Sequence, residues 1–338
     1  MEENADGGDA SVVPYGRCAA ELRPTEPVIS PLELLRSEKV VRICAPMVRY
    51  SKLPFRALVR RYGCDVAYTP MIVSDSFVQS SKARDVEFTT NYDDRPLIVQ
   101  FAATNSADFA RAAELVAPFA DGIDLNCGCP QRWALADGYG AALMKKPELV
   151  ADMVHGARTR TSLPVSIKIR IHGDLRETVE LCRRAESAGC GWITVHGRTT
   201  KQRAEPCNFD AIKIVKESVN VPVVANGDIR NEDDIHRVAD MTGVDVKIFS
   251  KFSSVQSDGS ERCSGEPSHV LWCLHHSSGG GAGLAGPLTC TRTDPLHIPP
   301  PPHTHVERVH SRVEKRVFNT LTSTPAVLDF LRTHYGIT

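Results

Sequence analysis

No stretch of this chain approaches the roughly 18 consecutive apolar residues of a membrane-crossing helix, so no helical membrane span is predicted. No charge of one sign dominates either: 40 Lys+Arg face 41 Asp+Glu, a formal net charge of −1. Binding of nucleic acid by bulk charge is thereby excluded, and any RNA contact must use a local basic patch. The first 40 residues show neither an apolar run behind a basic start nor an Arg-rich amphipathic leader; Glu2, Glu3, Asp6 and Asp9 stand there instead. Secretory and mitochondrial targeting are not expected. The cysteines lack the even count and close spacing of a disulfide framework, 11 being scattered over 338 residues. They read as reduced thiols in a cytoplasmic or nuclear protein. With 42% hydrophobic and 24% charged residues, the chain is not a collagen, a coiled coil or disordered throughout.

What is present is a rhythm. Residues 1–40 are polar and read as a mobile tail ending in a short helix near Pro31–Glu38. From Val41, β-branched runs alternate with segments of helical spacing. The predicted strands are Val41–Ala45, Val66–Thr69, Leu97–Phe101, Gly122–Leu125, Val165–Arg170, Trp192–Val195 and Val223–Ala225. The predicted helices are Leu53–Tyr62, Ala107–Phe119, Pro147–Arg160, Leu175–Ala188, Phe209–Ser218 and Glu232–Met241. Such alternation makes a parallel sheet, either an open doubly wound sheet or a closed (β/α)8 TIM barrel. The open sheet wants G-x-G-x-x-G after an early strand. Here the first strand runs into Cys44-Ala45-Pro46-Met47, without a glycine. Polar residues instead crown successive strand ends: Gln100, Asn126, Lys168 with Arg170, His196, and Asn226-Gly227-Asp228. Barrels build their sites on that rim, so the barrel is preferred, with seven βα units over residues 41–245.

The pattern then stops. Residues 246–305 hold 9 Ser, 7 Gly and 7 Pro, and 6 of the 12 His, with no sustained period of 2 or 3.6. That stretch cannot bury enough apolar surface to order itself. Patterning returns over residues 306–338, where Arg312–Phe330 reads as helix. Arg312, Lys315 and Arg316 fall at helical spacing there, either a phosphate-binding face or a solvated one.

The sharpest motif is Asn126-Cys127-Gly128-Cys129-Pro130 behind the fourth strand. Zinc is disfavoured, since C-x-C gives two ligands where a structural site needs four; no metal is expected. A buried structural thiol suits Cys64 or Cys190 better than Cys129, which Gly128 and Pro130 hold in a turn at the barrel mouth. A thiol with an ordinary pKa of about 8.5 keeps its proton near neutrality and can donate it. Lys168 and Arg170, two apart, share one face of a barrel strand and need an anionic partner. A lone His is commonly structural, but His196 sits level with the other polar strand ends. Gln100 and Asn226 also admit a reading as cap or turn residues.

In this order these motifs resemble the tRNA-dihydrouridine synthase family, over about Val41–Asp245 and again Val306–Ile337. The carriers are Ala45-Pro46-Met47, Gln100-Phe101, the Asn-x-Gly-Cys-Pro box, Lys168-x-Arg170, Val195-His196-Gly197-Arg198-Thr199 and Asn226-Gly227-Asp228. Glu314-Lys315-Arg316-Val317-Phe318-Asn319 and His334-Tyr335-Gly336-Ile337 are similar to the eukaryotic subfamily that modifies positions 20a and 20b of the tRNA D-loop. The resemblance implies an FMN-bound barrel, a helical tRNA-binding domain of which a remnant follows residue 305, NADPH (or NADH) as reductant and tRNA as partner; a monomer is expected. It implies Cys129 as proton donor. Pro46, Met47, Val48, Gln100, Lys168, His196, Asn226, Gly227 and Asp228 would bind the cofactor. Asn126, Arg170 and Arg198 would bind substrate.

After Thr242-Gly243-Val244-Asp245 the family continues with Gly-Val-Met-x-Ala-Arg-Gly, its eighth strand and phosphate-binding turn; this chain continues Val246-Lys247-Ile248-Phe249-Ser250. The family's eighth strand and phosphate turn are therefore missing. Val246–Phe249 is a candidate substitute strand, and without a substitute the first and seventh strands carry unpaired backbone. Two alternative readings follow: an impaired product of the same gene with weak FMN binding, or an FMN barrel acting on a free pyrimidine.

Overall fold

The computed structural model describes residues 13–14, 28–37, 40–244 and 246–249. Eight parallel strands form a ring: β1 Arg42–Cys44, β2 Val66–Tyr68, β3 Leu97–Ala102, β4 Gly122–Cys127, β5 Val165–Arg170, β6 Trp192–His196, β7 Val223–Asn226 and β8 Val246–Phe249. Each pairs with the next. The ring closes where Lys247, Ile248 and Phe249 lie opposite Arg42, Ile43 and Cys44. The candidate substitute strand Val246–Phe249 is formed, so the first and seventh strands are not left unpaired. Val246, Lys247 and Ile248 also lie opposite Val224, Ala225 and Asn226, so both neighbours of β8 are partnered. The family's own sequence is not needed for this, because ladder bonds are made by backbone, and Val, Ile and Phe all favour strands. The later part of the unpatterned segment and the helix expected at Arg312–Phe330 lie outside the described residues.

Strand alternation decides which side chains look inward. Leu97, Val99, Phe101, Ile123, Leu125, Cys127, Val165, Ile167, Ile169, Ile193 and Val195 join one buried core with apolar residues of the surrounding helices. The helices supply it from Ser106–Val116, Pro147–Arg160, Leu175–Ser187 and Phe209–Ser218, whose apolar faces follow the 3.6 period. Three of these begin on side-chain caps: Asn105 accepts from the Asp108 amide, Asp174 from Arg176 and Asn208 from Ala211.

The alternate residues face the barrel interior and stack in layers. At the bottom, Ile43, Val66, Tyr68, Ile98, Trp192 and Val224 pack together, plugged by Leu35 and Val41. Leu35 comes from helix Pro31–Arg36, opened by a Ser30/Glu33 capping box. Gly122 stands beside this plug because a Cβ there would lie 2.7 Å from Ile98 Cδ1 and 3.1 Å from Trp192 Cη2. Polar residues occupy the layers above, on the same inward face. Within the expected tail, Val13–Pro14 pairs antiparallel with Thr89–Thr90. Short elements also appear between β2 and β3: a strand Ile72–Val73 and helices Ser74–Gln79 and Ser81–Glu87. Among the described residues no helix is long and apolar enough to cross a membrane.

Candidate active site

The inward positions of β3 to β7 carry Gln100, Asp124, Asn126, Ser166, Lys168, Arg170, Thr194, His196 and Asn226. Register sets them side by side: Gln100 opposite Asp124, Asn126 opposite Lys168, Arg170 opposite His196, and His196 opposite Asn226. The structure thus brings together six residues that the sequence singles out on five strands.

Lys168 Nζ donates to Asn226 Oδ1 at 2.9 Å. Desolvation, with Arg170 adding to it, pulls the Lys168 ammonium down to about 8, against the pull of Asp124 and Cys129. With Oδ1 engaged, Asn226 Nδ2 is buried and has no partner among the described residues. Gln100 Nε2 donates to Asp124 at 2.8 Å, and Gln100 Oε1 accepts from Asn126 Nδ2 at 2.8 Å. Gln100 therefore keeps one amide N–H to spare.

Arg198 Nη1 lies 3.1 Å from His196 Nε2. A guanidinium only donates, so Nε2 carries the lone pair and the ring proton sits on Nδ1. Desolvation first, then Lys168, Arg170 and Arg198, push the imidazolium form down to about 2, so His196 is neutral across the physiological range. Arg198 is itself occupied: Nη2 meets Asp228 Oδ1 at 2.5 Å and Nε donates to Glu205 O at 2.5 Å. Desolvation would raise Asp228, but the Arg198 bond and the Cys207 amide hold it below the usual carboxylate value. Arg170 Nη1 donates to the carbonyls of Thr199 and Gln202 at 2.8 and 3.0 Å, tying β5 to the loop after β6. Gly227 and Asp228 both take positive φ, 118° and 53°, in the turn that delivers this carboxylate.

The loop after β1 is placed differently. Met47 packs beside Cys44, Val59 and Ala67 rather than with the inward polar residues, Pro46 is half-buried, and Val48 is exposed.

Cys129 is half-buried and packs against Ala102, Ala134 and Tyr139. Its turn is held from both sides. Asn126 Oδ1 accepts from the Gly128 and Cys129 amides at 3.1 and 2.9 Å, and Cys129 O accepts from Ala141 N at 3.0 Å. Gly140, with φ 61°, abuts it: a Cβ there would come within 2.8 Å of Cys129 O and 2.9 Å of Cys129 Cβ. Gly140→Ala is accordingly expected to destabilise the fold by about 1–3 kcal/mol, the range for left-handed strain with overpacking. A denaturation midpoint equal to wild type would show that the turn yields freely. Cys127, two residues away, is fully buried, and desolvation pushes its thiol well above its ordinary value.

Sequence reading passes over Asp124, Ser166 and the Tyr139–Asp75 hydrogen bond of 3.0 Å. Asp124 carries a usable signal, since it lies two before Asn126 and therefore on the same strand face. Taken as a set, the rim offers donors: the Lys168 ammonium, Asn226 Nδ2, the spare Gln100 N–H and the Nδ1–H of His196.

Comparison with known proteins places this arrangement. Residues 43–251 match the family described as Dihydrouridine synthase (Dus). A Mus musculus protein named tRNA-dihydrouridine(20a/20b) synthase (NAD(P)+)-like is 51% identical over 309 residues, 90% of this chain and 92% of that one. Its Homo sapiens counterpart is 49% identical over 310 residues, 91% of this chain and 95% of that one. The tRNA-dihydrouridine(20a/20b) synthase of Saccharomyces cerevisiae is 45% identical over 224 residues, 63% of this chain and 61% of that one. The chain belongs to the dihydrouridine synthase family.

Proposed function

We propose that this protein is a tRNA-dihydrouridine synthase that reduces the C5–C6 double bond of a D-loop uridine, at 20a or 20b, with NADPH and bound FMN. The observation that supports it most is the cluster of donors around Lys168. A buried ammonium with an adjacent unpartnered amide needs an acceptor-rich ligand that can carry negative charge. A flavin ring meets that need, its carbonyl oxygens and ring nitrogens being acceptors, and becoming more electron-rich on reduction. The residues present therefore fit the group. Gln100, Lys168, His196 and Asn226 would hold the ring, with Asp228 fixing His196 through Arg198. Pro46, Met47 and Val48 stand outside this set, since Met47 packs on Cys44, Val59 and Ala67 and Val48 is exposed.

When bound, FMN reduced by NADPH supplies hydride to C6 of the uracil. The protein does the rest. Lys168 stabilises charge on the ring. Cys129, held by the Asn126 turn, gives the thiol proton to C5, so that hydride and proton add across the double bond. Asn126, Arg170 and Arg198 bear on the substrate by shaping the walls on either side of the mouth. The test is direct: supplied with excess FMN, the chain should oxidise NADPH and form dihydrouridine in D-loop-unmodified tRNA. Reduction of free uracil with no activity on tRNA would replace this reading with that of a free-pyrimidine dehydrogenase.

Two further results are expected. Lys168→Met should weaken FMN binding by about 10- to 100-fold, the worth of one charged hydrogen bond, and lower the flavin's reduction potential. An unchanged potential would assign Lys168 to RNA phosphate instead. Because the ammonium is lost as pH rises past about 8, FMN affinity should fall above that pH in wild type and be flat there in Lys168→Met. Titrating FMN into apoprotein at several pH values reads both.

A further inference from the structure

A line of hydrogen bonds runs up the inside of the barrel and ends at the Cys129 turn. Ser166 Oγ lies 2.6 Å from Asp124 Oδ1, and Gln100 Nε2 lies 2.8 Å from Asp124 Oδ2. Asn126 Nδ2 lies 2.8 Å from Gln100 Oε1, and Asn126 Oδ1 accepts from the Gly128 and Cys129 amides. Asp124 is 0% exposed and Gln100 1%, so bulk water does not reach either side chain.

The two amide side chains could face either way; the two ends of the line could not. Backbone N–H groups only donate, so Asn126 must turn Oδ1 to them and Nδ2 to Gln100. Gln100 must then present Oε1 to Asn126 and send Nε2 down the barrel. An acceptor has to wait there. A carboxylate is one in either orientation, whereas an asparagine could equally present its NH2 and reverse the line. Reversed, Asn126 would point donors at donors, and the Cys129 turn would lose two bonds.

We propose that Asp124 is a positioning residue that fixes the direction of this line and thereby holds Cys129 in its turn. The consequence for the reaction rests on Cys129 being the proton donor; the direction of the line does not. The same geometry explains why a carboxylate is kept in the barrel interior. Burial pushes Asp124 up to about 6, and the bonds from Ser166 and Gln100 with the nearby Lys168 oppose that rise.

The test moves the carboxylate to the other end of the line. Asn126→Asp places acceptors on both sides of Gln100, so the line cannot be satisfied. Asp124→Asn combined with Asn126→Asp lets it run backwards in full. The amide introduced at position 124 donates to Gln100, and Gln100 donates to the carboxylate introduced at position 126. That carboxylate still accepts both backbone amides. Two readouts serve, the thermal midpoint and the rate at which iodoacetamide alkylates Cys129, followed by peptide mass spectrometry. Neither needs FMN, NADPH or tRNA, so the proposal can fail while the enzymatic reading stands, and the reverse.

Asn126→Asp is expected to lower the midpoint and speed alkylation roughly tenfold, within the range of coupled neighbours. The double variant should regain most of both. Additive effects would overturn the proposal. So would rescue that persists in a Gln100→Leu background, because it would then be through-space repulsion between positions 124 and 126. Should Asn126→Asp fail to fold, folding of the double variant is the rescue, and failure of both overturns the proposal.

Discussion

Cys129→Ala should leave NADPH-dependent bleaching of the bound flavin intact while dihydrouridine formation in tRNA falls by about 10²–10⁴-fold, the ordinary worth of a positioned acid. The geometry separates this residue from its neighbour. Cys129 is half-buried in a turn fixed by Asn126 and Ala141, at the mouth of the barrel. Cys127 is on the opposite face of β4, inside the core shared with the helices, and its thiol has no access to a substrate at the mouth. Cys127→Ala should therefore cost stability through a small cavity and leave turnover nearly unchanged. Half-reactions followed separately decide the matter: flavin bleaching under anaerobic NADPH, then reoxidation by tRNA. Comparable losses of turnover in both variants would remove Cys129 from its role. Loss of bleaching in Cys129→Ala would show that the substitution disturbs the cofactor site itself.

His196 offers a contrast in how a pH profile is read. Its neighbours hold it neutral, so no step in activity between pH 5 and 8 should trace to it. A step in that window that disappears in His196→Gln would mean that the ring titrates after all.

Much of this is legible in the sequence because barrel strands have no solvent face. A polar residue in a strand such as Val165–Arg170 has to look inward, so Lys168 and Arg170 identify themselves by spacing alone. The seven predicted strands fall on the observed ones, with shifts of a residue or two at their ends. Asp124 escapes notice although the same rule selects it. Its strand, Gly122–Cys127, is buried at every position, and Asp124 lies below the strand end at which polar residues draw attention. The elements between β2 and β3 escape as well. Ile72–Val73 and Ser74–Gln79 are too short for any period to show, and the Ser80 cap that accepts from Ala83 starts a helix without an apolar stripe. Arg198 reads as a substrate contact from its place in the motif. Beside its contact with His196 two residues back, two of its side-chain hydrogen bonds come from the Glu205 loop and the β7 turn folding back on it, which no local pattern encodes.

Ile248→Pro should open the barrel. In a closed ring every strand has two neighbours, and Ile248 stands between Ile43 of β1 and Asn226 of β7. Proline has no N–H to give the ladder and leaves a buried carbonyl orphaned, at about 1–3 kcal/mol for that group alone. Once β8 detaches, β1 and β7 become edges with unpaired backbone, which templates association. The expected result is a lowered, less cooperative thermal transition with light scattering rising at the same temperature. A transition as sharp and as high as wild type would mean that β8 contributes nothing to closure. Closure is also separable from phosphate binding, and that separation gives the larger effect. Val246–Phe249 supplies backbone for the ring, but the sequence after it has no Arg-Gly to place at a helix N-terminus. Replacing Val246–Ser250 with Gly-Val-Met-Ala-Ala-Arg-Gly and the family's following helix should keep the ring and add at least two charged hydrogen bonds to the FMN phosphate. At about 1.5–3 kcal/mol each, affinity should rise about a hundredfold or more, at about 1.4 kcal/mol per tenfold. The reading fails if the unaltered chain already purifies with one FMN per molecule and the graft adds nothing. In that case the ring contacts of Gln100, Lys168, His196 and Asn226 suffice without a phosphate turn.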